Sequence, residues 1–208
     1  MFDWFWVAAL AAIVIAFRLV RPMLGFVLAP QISERVMAAQ PDTIHLEPGD
    51  AAEWRDPERL ESLTADFAAF GFAVAGTHVI PELPQVRVRL LANPTDSLFG
   101  VIYEHPARGT WYEMVCRGTD GSSTTWSSLP ANGLDPRPGH PIRHLPKASV
   151  EALWRTVQRE KPAVTLQPAS MASVGEAFVT AWADYVVWRK QRGISRIEAA
   201  RVGAKQAA

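Results

Sequence analysis

One cysteine, Cys116, stands among 208 residues. No intrachain disulfide can form, and no thiolate cluster is available for a metal; such a chain fits a reducing compartment. Neither sign of charge is in excess, since 21 Lys and Arg balance 21 Asp and Glu. A general nucleic-acid-binding protein carries a clear basic surplus, so nucleic acid is excluded as an expected partner. The motifs of common chemistry are missing as well. There is no G-x4-G-K-[ST] phosphate loop, no G-x-G-x-x-G turn, no H-E-x-x-H helix and no G-x-S-x-G elbow. Their absence removes the most easily recognised enzymes. No cofactor or metal is expected, and the reading leans away from catalysis.

What is present begins with an apolar amino terminus. Residues 4–17 are apolar throughout. Taken from 2 to 20 as a helix at about 1.5 Å per residue, the segment nearly matches a hydrocarbon core of about 30 Å. Trp4 and Trp6 suit one membrane interface, while Arg18 and Arg21 lie at the other end. A cleaved signal peptide carries its positive charge before the apolar run. Here Asp3 comes first and the arginines follow. The positive-inside rule then places the amino terminus outside and the remainder in the cytoplasm. The expectation is a single-pass transmembrane anchor in the cytoplasmic membrane, with the lipid bilayer as a partner. Pro22 ends or kinks this helix, so 1–37 reads as anchor plus interfacial segment.

Residues 38–55 are rich in Pro, Gly and Asp and read as a linker. An α+β soluble domain is expected over 56–203, with a tail at 204–208. Asp56-Pro57 opens a helix over 57–70, with Leu60, Leu63 and Phe67 at helical spacing. Strand-like runs follow at 72–80, 86–91, 98–103, 111–117 and 123–129. Ser149 caps a helix that Pro162 closes, a long helix spans 172–192, and Ser195 with Glu198 forms a capping box for a short terminal helix. The fold class is therefore an antiparallel β-meander of five or six strands, with helices packed on one face.

Asp120-Gly121 signals a two-residue hairpin turn. That register pairs Val115 with Trp126 and sets Tyr112, Met114 and Cys116 on a core face. Trp111, Glu113, Arg117 and Trp126 then share the other face with Arg87 and Arg89. Arginine and tryptophan are favoured at interfaces, so these six form the candidate partner surface. Its competing reading is a solvated face with arginine stems over the rings.

Histidine is the other candidate chemistry. In "RPGHPIRHLP", His140 and His144 have a spacing that serves a metal on a helix, but Pro138, Pro141 and Pro146 forbid the helix. In extended chain, residues four apart are separated by about 13 Å, so the stretch reads as a stiff connector. His105 in "YEHPARGTW" reads as a turn cap, and Cys116 as a buried small hydrophobe.

"YEHPARGTW", "TDGSSTTWSSLPANGLD" and "RPGHPIRHLP" resemble segments of bacterial single-pass membrane-anchored proteins with no assigned activity. The likeness covers about residues 71–162. It implies a bacterial setting and an anchor, and brings no catalytic residue. The leading expectation is a membrane-anchored accessory protein that binds a membrane protein complex or a ligand at the inner face. A lipid or small-molecule carrier is the alternative, with a cavity closed by the long helix. A further alternative is an enzyme using His105, His140 or His144, which needs two of them, or one plus a carboxylate, within hydrogen-bond reach.

Overall fold

A computed structural model describes residues 29–206. The anchor residues Trp4, Trp6, Arg18 and Arg21 lie outside the described residues. Among the described residues, no helix is long and apolar enough to cross a membrane. The chain divides into two compact units. One holds Pro41–Pro130 and Pro136–Trp188; the described part of the other holds residues 29–40, 131–135 and 189–206.

The first unit is built on a seven-stranded mixed sheet whose strands are neighbours in chain order. They are β1 (Glu47–Pro48), β2 (Ala73–Val79), β3 (Arg87–Asn93), β4 (Leu98–His105), β5 (Gly109–Arg117), β6 (Ser123–Ser127) and β7 (Ile142–His144). Neighbours run antiparallel except β6 and β7, which are parallel. The helices are α1 (Ala29–Ala38), α2 (Pro57–Ala68), α3 (Val150–Glu160), α4 (Val174–Arg192) and α5 (Arg196–Gln206). The fold class is thus α+β, and the five expected strands and the four expected helices of the soluble domain are all present.

The caps form as their chemistry requires. The Asp56 carboxylate accepts from the Arg59 backbone at 2.8 Å, with Pro57 at the first helical position. The Ser149 hydroxyl accepts from the Ala152 backbone at 3.1 Å.

Helices cover both sheet faces, not one. Leu91, Leu98, Ile102, Tyr112, Met114, Cys116 and Trp126 pack with Leu60, Leu63 and Phe67 of α2 and with Leu153 and Val157 of α3. Val88, Leu90, Phe99 and Val101 point the other way and pack with Val174, Phe178 and Trp182 of α4. Strand β4 is accordingly buried at six of its eight positions, as in sheets covered on both sides. Gly100 makes room for α2: a Cβ there would meet the Phe67 ring at 3.0 Å and the Phe72 ring at 3.1 Å.

The hairpin between β5 and β6 differs from expectation by one residue. Gly118 donates to Ser122 at 2.8 Å and Gly121 donates to Gly118 at 3.1 Å. Three residues, Thr119, Asp120 and Gly121, therefore make the loop, with Gly121 at φ 83°. Met114, not Val115, lies opposite Trp126. A one-residue slip moves a side chain to the opposite face, so Trp126 is fully buried beneath α2 and α3 rather than beside Trp111.

The stretch 38–55 is also more than a linker. It carries β1 and a 3-10 turn at Ala51–Glu53, and it buries Ile44 and Trp54. The proline-rich connector holds β7, because Pro141 leaves its carbonyl free to accept from Thr125 at 3.0 Å.

The second unit contains α1, residues 131–135, the last turn of α4 and α5. Its centre is Glu198, fully buried with Arg189 at 2.8 Å and bonded to Arg192 at 2.6 Å. The expected capping box is complete: Ser195 N donates to the Glu198 carboxylate at 3.0 Å, and Glu198 N donates to Ser195 Oγ at 3.2 Å. Helix α5 thus starts in the unit's buried ion pair and extends to Gln206, through most of the expected tail.

Burial alone would raise the Glu198 pKa, but the bonds from Arg192, the Asp135 backbone, Ser195 and Arg189 hold it far below the usual carboxylate range. A depressed folded pKa contributes stability that is present above the unfolded value of 4.5 and is lost as pH falls through the folded value. Glu198→Ala should destabilise this unit by about 3 to 5 kcal/mol, because it takes a buried carboxylate partner from the Arg189 guanidinium. Amide exchange of α1 and α5 against pH is the measurement: their protection factors, taken relative to the intrinsic exchange rate at each pH, should fall on acidification in the wild type and be low already at neutral pH in the variant.

Candidate functional site

Register decides which candidate residues meet. On β5, Trp111, Glu113, Val115 and Arg117 face the α4 side, and on β6 the residues opposite Glu113, Val115 and Arg117 are Ser127, Thr125 and Ser123. Ile142 and His144 of β7 continue that face. Half of the six-residue surface is therefore assembled here. Arg87, Arg89 and Trp126 lie on the opposite face, so the six do not form one surface. Arg89 is buried there, and donates to Thr77 at 3.0 Å, Thr64 at 2.8 Å and Glu61 at 2.8 Å. Arg87 pairs with Glu53 at 3.6 Å.

Two clusters occupy the α4 side. In the first, Tyr103 lies flat on Trp111, with ring centroids 4.8 Å apart and planes 6° apart. Its hydroxyl donates to the Glu113 carboxylate at 3.2 Å. Burial raises the Glu113 pKa, and hydrogen bonds from Ser127 and Tyr103 only partly oppose it. Burial, and then the Glu113 charge, push the Tyr103 phenol well above its usual value.

In the second cluster, Ser123 Oγ and His140 Nδ1 share a hydrogen bond of 2.8 Å. Arg117 lies opposite Ser123 and donates to the Ala177 carbonyl of α4 at 2.7 Å. Arg137 pairs with Asp184 at 3.7 Å. Burial, followed by the charges of Arg137 and Arg117, lowers the His140 pKa, and Asp184 pulls it back up. A neutral imidazole beside a hydroxyl can accept its proton. Next to Arg117 is a cleft of about 230 Å³, lined among others by Phe99, Gln167, Ser173, Glu176 and Thr180. It is smaller than the roughly 300 Å³ at which small-molecule pockets begin, and its walls mix polar groups with the apolar Phe99, Pro168 and Ala177.

The other candidates are held locally. His105 Nδ1 accepts from the Ala107 backbone at 3.1 Å and caps its own turn. His144 Nδ1 bonds the Leu129 carbonyl at 2.8 Å. His105 and His144 are three strands apart and offset by four residues along the ladder. At about 4.8 Å per strand and 3.4 Å per residue, that puts them nearly 20 Å apart. Glu104, next to His105 in sequence, faces the opposite side and accepts the Arg55 backbone N–H at 3.0 and 3.1 Å. Cys116 is fully buried, and burial raises its pKa, so it stays a thiol. Among the described residues, no group of three or more His, Cys, Asp or Glu side chains can hold a metal ion.

Ser123, Arg137 and Asp184 have no motif that marks them in the sequence. The parallel β6–β7 pairing, between segments 17 residues apart, brings His140 to Ser123, and α4 carries Asp184 to Arg137. Tyr103 has a signal, since it continues the period-2 row of Phe99 and Val101. No family model matches the chain, and neither a curated protein nor a solved structure does.

A carboxyl whose folded pKa is raised binds more protons folded than unfolded, so stability falls as pH rises from its unfolded value through its folded one. Glu113→Gln keeps the hydrogen bonds and removes the buried charge. It should raise the melting temperature at pH 8 by about 2 to 4 °C and change it little at pH 4, as followed by circular dichroism.

Proposed function

We propose that the chain is a membrane-anchored accessory protein of a bacterium. In this reading, residues 4–17 form a single-pass anchor with the amino terminus outside. The α+β domain stands at the cytoplasmic face and engages a component of a membrane protein complex. The resemblance noted above and the order of Asp3 before Arg18 and Arg21 support the anchor and its orientation.

The observation that carries the binding role is the β7 ridge. Pro138, Gly139, Pro141, Arg143 and His144 are exposed, with Ile142 presenting an apolar side chain at 41% exposure. Bonds from Ser123, Thr125 and Leu145 tie this ridge to β6. A stiff exposed ridge loses little conformational entropy when a partner docks. In this role Trp111, Glu113 and Arg117 position the sheet beneath the ridge instead of touching the partner.

The full chain should remain in the membrane pellet after an alkaline carbonate wash; its release would sink the anchor. Cross-linking in intact membranes should yield a defined adduct that Ile142→Asp abolishes while the circular dichroism spectrum is unchanged. An undiminished adduct would remove the ridge from the reading.

A second reading rests on the Ser123–His140 bond, which makes an esterase-type hydrolase of the same face. A fluorophosphonate probe should then label Ser123 in the wild type, and labelling should vanish in His140→Ala. Absence of labelling in the folded wild type would dismiss it.

A further inference from the structure

The neutral chain is divided by sign. Residues 29–40, 131–135 and 189–206 carry seven Lys and Arg against three Asp and Glu. The unit with the sheet carries twelve against seventeen. Two of the three acids in the basic unit are paired: Glu198 is fully buried with Arg189, and Asp135, at the surface, is held by Arg192 at 3.2 Å and Arg201 at 2.6 Å. The basic residues outnumber these partners, and although Arg192, Arg201 and Lys205 bond Asp135, Glu198 and the Ala131 carbonyl, most of them stay at the surface. Arg35, Lys190, Arg192, Arg196, Arg201 and Lys205 are all exposed. Along α5, Ile197, Arg201 and Lys205 follow one another at four-residue intervals and so share a stripe. Ile197 is 63% exposed, an apolar side chain standing in water next to Arg196. One exposed aliphatic residue is no apolar face, but with cations on the same stripe it suits contact with headgroups at a lipid surface rather than burial among the acyl chains.

We infer that this unit binds anionic phospholipid headgroups through α5 and the last turn of α4. The inference rests on the anchor reading for one reason: α1, which packs against α5 within this unit, begins twelve residues after the apolar run 4–17. A lipid surface is favoured over nucleic acid by that proximity and by Ile197, which has no use against phosphate. An anionic bilayer surface attracts juxtamembrane cations and acts only within a Debye length of about 8 to 10 Å. Its attraction falls on the unit that carries the basic excess, and the sheet-bearing unit, with its acidic excess, is repelled.

Lysine reactivity reads this directly. An ammonium held against anionic headgroups is shielded and more basic, so it acylates slowly. The full chain is placed in nanodiscs of phosphatidylcholine, or of phosphatidylcholine with phosphatidylglycerol. It is then labelled with an amine-reactive ester and analysed by mass spectrometry. Lys190 and Lys205 should react about fivefold more slowly in the anionic discs, in keeping with about 1 kcal/mol per cation near such a surface. Lys147, exposed in the sheet-bearing unit, is the internal reference and should not change. Salt at about 0.5 M should restore reactivity, and Ile197→Asp should halve the protection or more. Equal reactivity in both compositions would overturn the inference, as would protection by added RNA in place of lipid. If the chain does not enter discs at all, the anchor reading fails. The inference is then decided by the same labelling of the full chain mixed with phosphatidylglycerol vesicles, where an unchanged Lys190 and Lys205 overturns it.

Discussion

The fold depends on two central strands that have no solvent side. Strands β3 and β4 bury side chains in both directions, with Leu91, Leu98 and Ile102 towards α2 and α3 and Val88, Leu90, Phe99 and Val101 towards α4. Each such aliphatic or aromatic side chain contributes about 1.5 to 3 kcal/mol on burial. Leaving either face open would forfeit several of these at once. That demand recruits helices from opposite ends of the chain to one sheet. It also makes Gly100 necessary, because a side chain there would hold α2 away from the strand.

Polar groups inside this arrangement do structural work. Asn93, buried at the end of β3, donates to the Phe70 carbonyl at 2.8 Å and accepts from Asp96 N at 2.9 Å, which joins the end of α2 to the following turn. Glu104 receives the Arg55 backbone, and Arg89 donates to Thr77, Thr64 and Glu61. Buried polar groups are costly unless paired. These are paired to backbone or to neighbouring side chains, so they determine where α2 and the segment before it sit. Glu113 is different in kind. Its partners Tyr103 and Ser127 do not offset its burial, so the carboxyl is held in a state that favours its proton.

Local signals in the sequence led to the right elements. Asp56-Pro57, Ser149 and the Ser195–Glu198 pair each mark a helix start that forms, because capping is decided within four residues. Long-range pairing is not written locally. The hairpin loop at Asp120-Gly121 has three residues where two were expected, and that single residue exchanged Trp126 from one face to the other. The unbroken run Leu98, Phe99, Gly100, Val101 and Ile102 was a sign that both faces are covered. A single covered face instead assigns the apolar residues of 86–91 to the side of Tyr112 and Met114, and so sets Arg87 and Arg89 beside Trp111. Strand β7 was hidden because proline argues against strand, and only an edge position with carbonyls as acceptors admits it. For the same reason His140 read as a connector residue, although β7 brings it to Ser123.

Whole-chain neutrality is an average over distances far longer than those at which charges act. In physiological salt a charge is felt for about 8 to 10 Å, less than the length of one helix of the size of α4. The formal charge is +4 over the described part of one unit and −5 over the other. The balance of 21 against 21 excludes a uniformly basic protein, but it does not describe any surface that the protein presents. The two signs also have different causes. In the basic unit Glu198 is drawn inward as the partner of Arg189 and Arg192, while Asp135 pairs with Arg192 and Arg201 at the surface. In the sheet-bearing unit the acids at helix starts, such as Asp56 and Glu151, stay outside because they cap and complement helix dipoles in water. The partition of charge thus follows from how each unit satisfies its own buried and terminal groups.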